Sequence, residues 1–175
     1  AFNSIITKFI DSALELFNFG ESFRKWVRLF FSGRKTYLLL HGYLGDCINL
    51  EQGVPQGDVL FPYIFNICVE ILLLKICFTN TLTGVKFAKR EARAKCFADN
   101  TTVFIERTEE NLRALVKIIE DFARISGLNA NLDKTMVCPI GGNFSSKEED
   151  QMCQDLKLDW VDNFRLLGLD IDSRL

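Results

Sequence analysis

The chain holds one histidine, His41, and its six cysteines include no Cys-x-x-Cys pair. A zinc site built from thiolates and imidazoles would therefore lack its usual ligand spacing. Cys47, Cys68, Cys77, Cys96, Cys138 and Cys153 are scattered, and most lie in apolar stretches. There, cysteine packs as a small hydrophobe. This distribution argues against a disulfide framework and points to a reducing intracellular setting, nuclear or cytoplasmic. The sequence also lacks a basic segment followed by a cleavage site, so no signal peptide is expected. It does not open on methionine, and its abrupt start on Ala1-Phe2-Asn3-Ser4 reads as a piece cut from a longer protein. No internal repeat or low-complexity tract is present.

Positive charge is not in excess: 21 Lys and Arg face 23 Asp and Glu, for a net charge of -2. A nucleic-acid-binding domain usually carries a basic balance. The charge is uneven, however. Arg24, Lys25, Arg28, Arg34 and Lys35 form one basic cluster, and Lys86, Lys89, Arg90, Arg93 and Lys95 form a second. Solvated faces are the ordinary explanation of such runs. The apolar run 59–78 has membrane length, but Pro62, Asn66, Glu70 and Lys75 interrupt it. A charge at the bilayer centre costs about 2.5–3.5 kcal/mol. A buried helix of a globular domain is the expectation, with no membrane contact.

What the chain does have is a core. Its 175 residues are 48% hydrophobic and include 16 phenylalanines, enough for one compact, aromatic-rich domain. Apolar spacing predicts helices over 4–17, with Asn3 or Ser4 as cap, and over 21–31, with Phe23, Trp26, Val27, Phe30 and Phe31 on one side. Strands at 36–41 and 47–52 are predicted to form a hairpin through a turn at 41–46. A long helix is expected over 58–78, then strands at 84–88, 94–98 and 101–106, with Asp99-Asn100 as a tight turn. Thr108 caps a further helix that Ser126-Gly127 closes. A strand at 135–139, a polar helix at 145–156 and a last strand at 164–171 complete the prediction. The order implies an α+β fold: an antiparallel sheet with helices packed on one face.

Three segments bear on chemistry. Phe97-Ala98-Asp99-Asn100 places one carboxylate and one amide in a turn between strands. Two magnesium ions in an in-line phosphoryl displacement need hard oxygen ligands, carboxylates above all. Gln52-Gly53-Val54-Pro55-Gln56-Gly57-Asp58 leads into the long apolar helix. Its glycines let backbone N–H groups approach a ligand, and a helix N-terminus favours phosphate. An ordinary turn with Asp58 as a helix cap fits the same residues. Ser126-Gly127-Leu128-Asn129-Ala130-Asn131-Leu132-Asp133-Lys134-Thr135 is a helix stop before a strand, and alone its Lys134 reads as a surface lysine.

Taken together, in this order, these segments resemble the reverse transcriptases of LINE-type (non-LTR) retrotransposons, across nearly the whole chain. Residues 52–65 are similar to the family's R-G-V-R-Q-G-D-P-L-S-P-x-L-F segment, and Phe97 to Thr101 to its Y/F-A-D-D-T turn. Residues 126–135 are similar to S-G-L-x-x-N-x-x-K-T, and Leu166-Leu167-Gly168 to a Y-L-G segment. Ala1-Phe2-Asn3-Ser4 resembles the end of K-A-F-D-S. Group II intron maturases are related, but Asp58 after Gly57 favours the LINE side.

The resemblance implies an RNA-directed DNA polymerase: a polymerase palm-like antiparallel sheet with part of the fingers, spanning 1–175 and truncated at both ends. It implies Mg2+ as cofactor, with RNA template, DNA primer and dNTP as partners. By position, Asp99 becomes the metal ligand and Phe2 the aromatic gate against a ribose 2′-OH. Gln56, Gly57, Asp58 and Phe97 become the nucleotide and template side. Lys134 comes to lie near the pyrophosphate, and Leu167 and Gly168 belong to the primer grip. The departures are specific. Asn100 replaces the second acid of the turn, and Asn3 another family acid. Phe61 stands where serine is usual and His41 where asparagine is usual. The family's first metal carboxylate falls four residues before the gate, upstream of Ala1. The expectation is a catalytically inactive chain; a non-catalytic remnant that binds nucleic acid or protein is the alternative.

Overall fold

The computed structural model describes residues 4–50, 53, 57, 59–97, 100–140 and 158–172. Four helices carry the core: α1 (Thr7–Leu16), α2 (Glu21–Phe31), α3 (Phe61–Phe78) and α4 (Glu109–Ser126). The strands are short: β1 (Lys35–Leu40), β2 (Tyr43–Asn49), β3 (Val85–Phe87), β4 (Arg90–Ala92), β5 (Ala94–Phe97), β6 (Asn100–Val103), β7 (Met136–Val137), β8 (Asp159–Trp160), β9 (Asn163–Leu166) and β10 (Leu169–Asp172).

The fold is mixed α and β, as the sequence predicts, but among the described residues the strands do not join into a single sheet. The described strands pair into five two-stranded ladders: β1–β2, β3–β4, β5–β6, β9–β10 and the parallel pair β7–β8. Four of the five join chain neighbours through tight turns, so pairing is satisfied locally. An isolated bridge, Gly84 to Ile105, links the β3 and β6 regions. The α4 prediction matches at both ends. The Thr108 hydroxyl accepts from the Asn111 N–H at 3.2 Å, and Gly127 closes the helix at φ 77°.

Helix α3 is the centre. It packs against α1, α4 and β5, burying Phe61, Ile64, Phe65, Cys68, Val69 and Ile76. Its apolar run is therefore that of a core helix, although its length and composition alone would pass for a membrane span. It starts at Phe61, three residues later than predicted, with Pro62 in its first turn, where a missing N–H costs nothing. From α1 come Phe9, Ile10, Ala13 and Leu14, and from α2 Val27 and Phe31. Burying each such aliphatic or aromatic side chain contributes roughly 1.5–3 kcal/mol. Trp26 and Phe30, predicted to share the buried side of α2, are instead exposed.

Arg24 and Arg28 join α1 to α2. Arg24 grips Asp11 with two hydrogen bonds, at 2.9 and 3.1 Å, and also pairs with Glu15. Arg28 pairs with Asp11 and Glu21. The Arg24 hydrogen bond, more than any other contact, holds the Asp11 carboxyl below its ordinary value of 3.8, against a smaller opposing effect of burial. Much of the first basic cluster is thus consumed within the protein.

The hairpin turns are tighter than predicted. β1 and β2 close through His41 and Gly42 alone, at φ 49° and 84°, with a bulge between Tyr37 and Leu39. Two positive φ values in succession define a turn that prefers Asn-Gly. The predicted last strand is likewise two strands, β9 and β10, because Leu167 (φ 49°) and Gly168 (φ 88°) reverse the chain. The β3–β4 hairpin turns at Ala88 (φ 52°), and β4 was absent from the sequence prediction. The helix predicted at 145–156 lies outside the described residues.

Two outcomes follow. Asp11 has a depressed folded pKa, so its contribution is complete above the unfolded value of about 3.8 and is lost as pH falls through the lower folded value. A thermal melt series from pH 6 to about 2 should show this loss, and Asp11→Asn should flatten the dependence in that window. His41→Asn should stabilise the β1–β2 turn by about 0.5–1 kcal/mol, read as a higher urea midpoint.

Candidate functional site

Two of the segments singled out in the sequence converge on residues 4–6. Ile6, not Asn3 or Ser4, is the residue before α1, and its side chain makes no cap. Residues 5 and 6 are instead tied to two of the motif segments. The Ile5 carbonyl accepts from the Gly53 N–H at 3.1 Å, and the Ile6 N–H donates to the Ser126 carbonyl at 2.8 Å. This pairing explains why α1 begins later than the apolar spacing suggests.

Ser126 and Gly127 serve this junction. Ser126 is fully buried, and its hydroxyl donates to the Phe122 carbonyl at 2.7 Å while accepting from the Leu128 N–H at 3.0 Å. Gly127 has φ 77°, and a Cβ there would lie 2.4 Å from the Ser4 carbonyl oxygen and 2.9 Å from Ile6 Cγ1. Only glycine meets both demands. Gly53 (φ 82°) and Gly57 (φ 94°) also adopt the left-handed region, so the loop before α3 uses both of its glycines to turn. Gln56 and Asp58 lie outside the described residues.

The second assembly is the β5–β6 hairpin. Its register runs Ala94 to Val103, Lys95 to Thr102, Cys96 to Thr101 and Phe97 to Asn100. Asn100 is therefore the first residue of β6, not part of the turn as predicted, and only two residues separate it from Phe97. Those two, Ala98 and Asp99, lie outside the described residues, as does Phe2. Cys96 packs against the main core, and Ala94 and Val103 against the Ile76, Leu82, Leu115 and Ile118 cluster. Phe97 points the other way, 64% exposed. The hairpin is thus seated on α3 by one face and open on the other.

A residue that sequence reasoning missed holds its base. Asn111 is buried; its side-chain oxygen accepts from the Thr83 N–H at 3.1 Å and its amide donates to the Glu106 carbonyl at 3.0 Å. Asparagine in the first turn of an otherwise apolar helix face was the available signal.

Lys134 is exposed in a single 3-10 turn, Leu132–Lys134, which its own N–H closes on the Asn131 carbonyl. None of its hydrogen bonds reaches Phe97 or Asn100. Leu167 and Gly168 form the exposed turn of β9–β10. That hairpin is anchored through β7–β8, through the Val161 N–H to the Val137 carbonyl, and by Arg107 over the Trp160 ring at 5.7 Å. A Leu in the left-handed region costs roughly 1–2 kcal/mol, an exposed strain of the kind found at ligand-facing turns. Among the described residues, no group of three or more His, Cys, Asp or Glu side chains is placed to hold a metal.

Comparison with known proteins gives a concordant result. The family model described as reverse transcriptase (RNA-dependent DNA polymerase) matches residues 1–171. The retrovirus-related Pol polyprotein from type-2 retrotransposable element R2DM of Drosophila melanogaster is 30% identical over 147 residues, which is 84% of this chain and 14% of that protein. The corresponding polyprotein from type-1 retrotransposable element R2 of Nasonia vitripennis is 31% identical over 128 residues, 73% of this chain and 12% of that protein. The chain thus spans less than a sixth of the length of these relatives.

The junction at residues 4–6 makes Gly127 the position least able to change. Gly127→Ala should destabilise the protein by about 2–4 kcal/mol, from left-handed strain plus the clash with the Ser4 carbonyl. Urea unfolding followed by circular dichroism would show it.

Proposed function

Because the chain belongs to the reverse transcriptase (RNA-dependent DNA polymerase) family, as part of the reverse transcriptase domain of a non-LTR retrotransposon, we propose that it handles RNA template and DNA primer but no longer catalyses nucleotide addition. In this reading residues 1–175 form palm with part of the fingers and work inside the cell.

The observation that carries the reading is the β5–β6 hairpin. Its strands pair down to Phe97 and Asn100, which seats these two residues on a ribbon packed against the core. Such a support suits a group that must meet a reacting phosphate within a fraction of an ångström. On it, Asp99 is the one carboxylate of the turn and Asn100 contributes a neutral amide. Two divalent ions bring four positive charges to a site that balances them with carboxylates and substrate phosphates. An amide oxygen can coordinate, but it neutralises nothing. The donors of this turn therefore do not fit a two-magnesium centre, and no catalytic step is assigned through one.

The remaining roles are binding roles. Gln56, Gly57 and Asp58 line the nucleotide and template side, where Gly57's left-handed backbone lets the main chain come close. Phe97 offers an exposed aromatic face. Phe2 is the gate over the nucleotide sugar, Lys134 a phosphate contact, and the strained Leu167-Gly168 turn a contact to the primer.

Primer extension with an RNA template, a DNA primer, dNTPs and Mg2+ should give no product above background from this chain. Asn100→Asp should raise the chain's affinity for Mg2+ or Mn2+ about tenfold by calorimetry, as a second charge adjoins the first. Extension by the unmutated chain would overturn the loss of catalysis; an Asn100→Asp variant with unchanged cation affinity would overturn the assignment of the turn.

A further inference from the structure

The β1–β2 hairpin stands apart from the packing that holds the other elements. Every residue from Lys35 to Asn49 is exposed, and none joins either apolar cluster of the interior. The strands are nevertheless apolar. The register sets Tyr37 opposite Cys47 and Leu39 opposite Leu44 on one face. It sets Thr36 opposite Ile48 and Leu40 opposite Tyr43 on the other. Leu38 shares this second face, because side chains alternate along β1. The tyrosines and leucines of the hairpin, with Ile48, are between 48 and 80% exposed. At roughly 100 Å² apiece they leave on the order of 700 Å² of apolar surface on one ribbon. The largest patch of a typical monomer is about 300–600 Å². A two-stranded hairpin with no packed face is marginal in water, and an added strand or a covering element is what stabilises it.

The two edges of the ribbon differ. On β2, Gly45 and Asp46 together oppose the single Leu38, so this strand is bulged at its middle and carries a carboxylate there. A bulge and a charge are ordinary protections of a strand edge. β1 has neither. Lys35-Thr36-Tyr37-Leu38-Leu39-Leu40 holds no acid, no proline and one charge, at its first residue. Among the described residues no strand pairs with its outer side. β1 therefore offers a row of backbone N–H and C=O groups with apolar side chains on both faces, a template for an added strand.

We propose that the added strand is β1 of a second copy of this chain, paired antiparallel about a two-fold axis at Leu38. Such an axis keeps each face of the ribbon on its own side. Leu38 then lies opposite its own copy, Tyr37 opposite the partner's Leu39, and Thr36 opposite the partner's Leu40. Aromatic–aliphatic and aliphatic pairs of this kind stabilise adjoining strands, and no two like charges meet within the ladder. Centred on Tyr37 instead, the pairing loses Leu40 and sets Lys35 against Leu39. The product is a four-stranded sheet in the order β2–β1–β1–β2, with the self-complementary contact that a two-fold dimer requires. About half of the exposed apolar surface goes under, with the edge backbone, for roughly 1,000 Å² over both copies, the small end of specific interfaces. The dimer is accordingly reversible, with a dissociation constant in the micromolar range. This contact does not depend on the nucleic-acid reading.

Sedimentation equilibrium of the chain from about 1 to 200 µM should show monomer passing to dimer. Leu38→Glu and Leu38→Lys each set like charges opposite one another, and each should raise the dissociation constant about tenfold. An equimolar mixture of the two variants should recover the association, because acid then meets base across the axis. Tyr43→Lys, exposed on the same face but on β2, should leave the dimer intact. Circular dichroism checks that each variant folds. If a Leu38 variant does not, Thr36→Lys/Leu40→Lys, which sets like charges opposite at the outer pairs, should weaken the dimer likewise. A parent chain that stays monomeric at the highest concentration overturns the proposal. If its β1 amides then gain protection from hydrogen exchange only when RNA is added, nucleic acid is the occupant of the edge instead. Dissociation by Tyr43→Lys, or no recovery in the mixture, overturns pairing through β1.

Discussion

Two backbone hydrogen bonds from adjacent residues organise this protein: Gly53 N–H to the Ile5 carbonyl, and Ile6 N–H to the Ser126 carbonyl. They stitch the segment before α1, the loop before α3 and the end of α4 into one junction above the buried core. Each partner is constrained in turn. Ser126 must be small and polar, because its hydroxyl satisfies two backbone groups that would otherwise be buried unpaired. Gly127 must be glycine, because both its φ and the closeness of Ser4 forbid a side chain. Three stretches far apart in the chain are thereby brought together by main-chain atoms rather than by any charged or catalytic side chain.

The β5–β6 hairpin hangs from the same core. Cys96 reaches the main cluster, Ala94 and Val103 reach the smaller one, and Asn111 fastens the backbone at its base. The outer face, with Lys95 and Phe97, is left to solvent. This division gives the turn a rigid mount and an accessible surface at once. Asn100 makes its ladder pairing through the backbone, so the mount does not depend on the side chain there.

Much was legible in the order of residues. The apolar periodicities of α2 and α4, the Thr108 cap and the Gly127 stop follow from local rules, and α4 matches them end to end. The family likeness was equally plain, since it rests on short motifs whose spacing survives. Less legible were features set by partners distant in sequence. Nothing near Ile6 announces that its N–H belongs to Ser126, so α1 starts later than its apolar pattern. Trp26 and Phe30 fit the apolar face of α2 yet stay exposed, because α1 and α3 cover only part of that helix. Leu167 reads as mid-strand by its side chain, and only the backbone shows it in a turn.

The sequence by itself determined the family, the helices and the amide, Asn100, at the head of β6. Each of these depends on side-chain type or on contacts within a few residues. The tertiary structure decided which charges are spent and which are free, and which motif segments touch. Arg24 and Lys89 look alike in a list of basic residues. One lies against Asp11 across a helix pair, and the other stands in the turn of a ribbon whose Glu91 is already held by Arg93. Electrostatic neutralisation falls off within a few ångströms in water, so it depends on folded proximity, which no local pattern encodes.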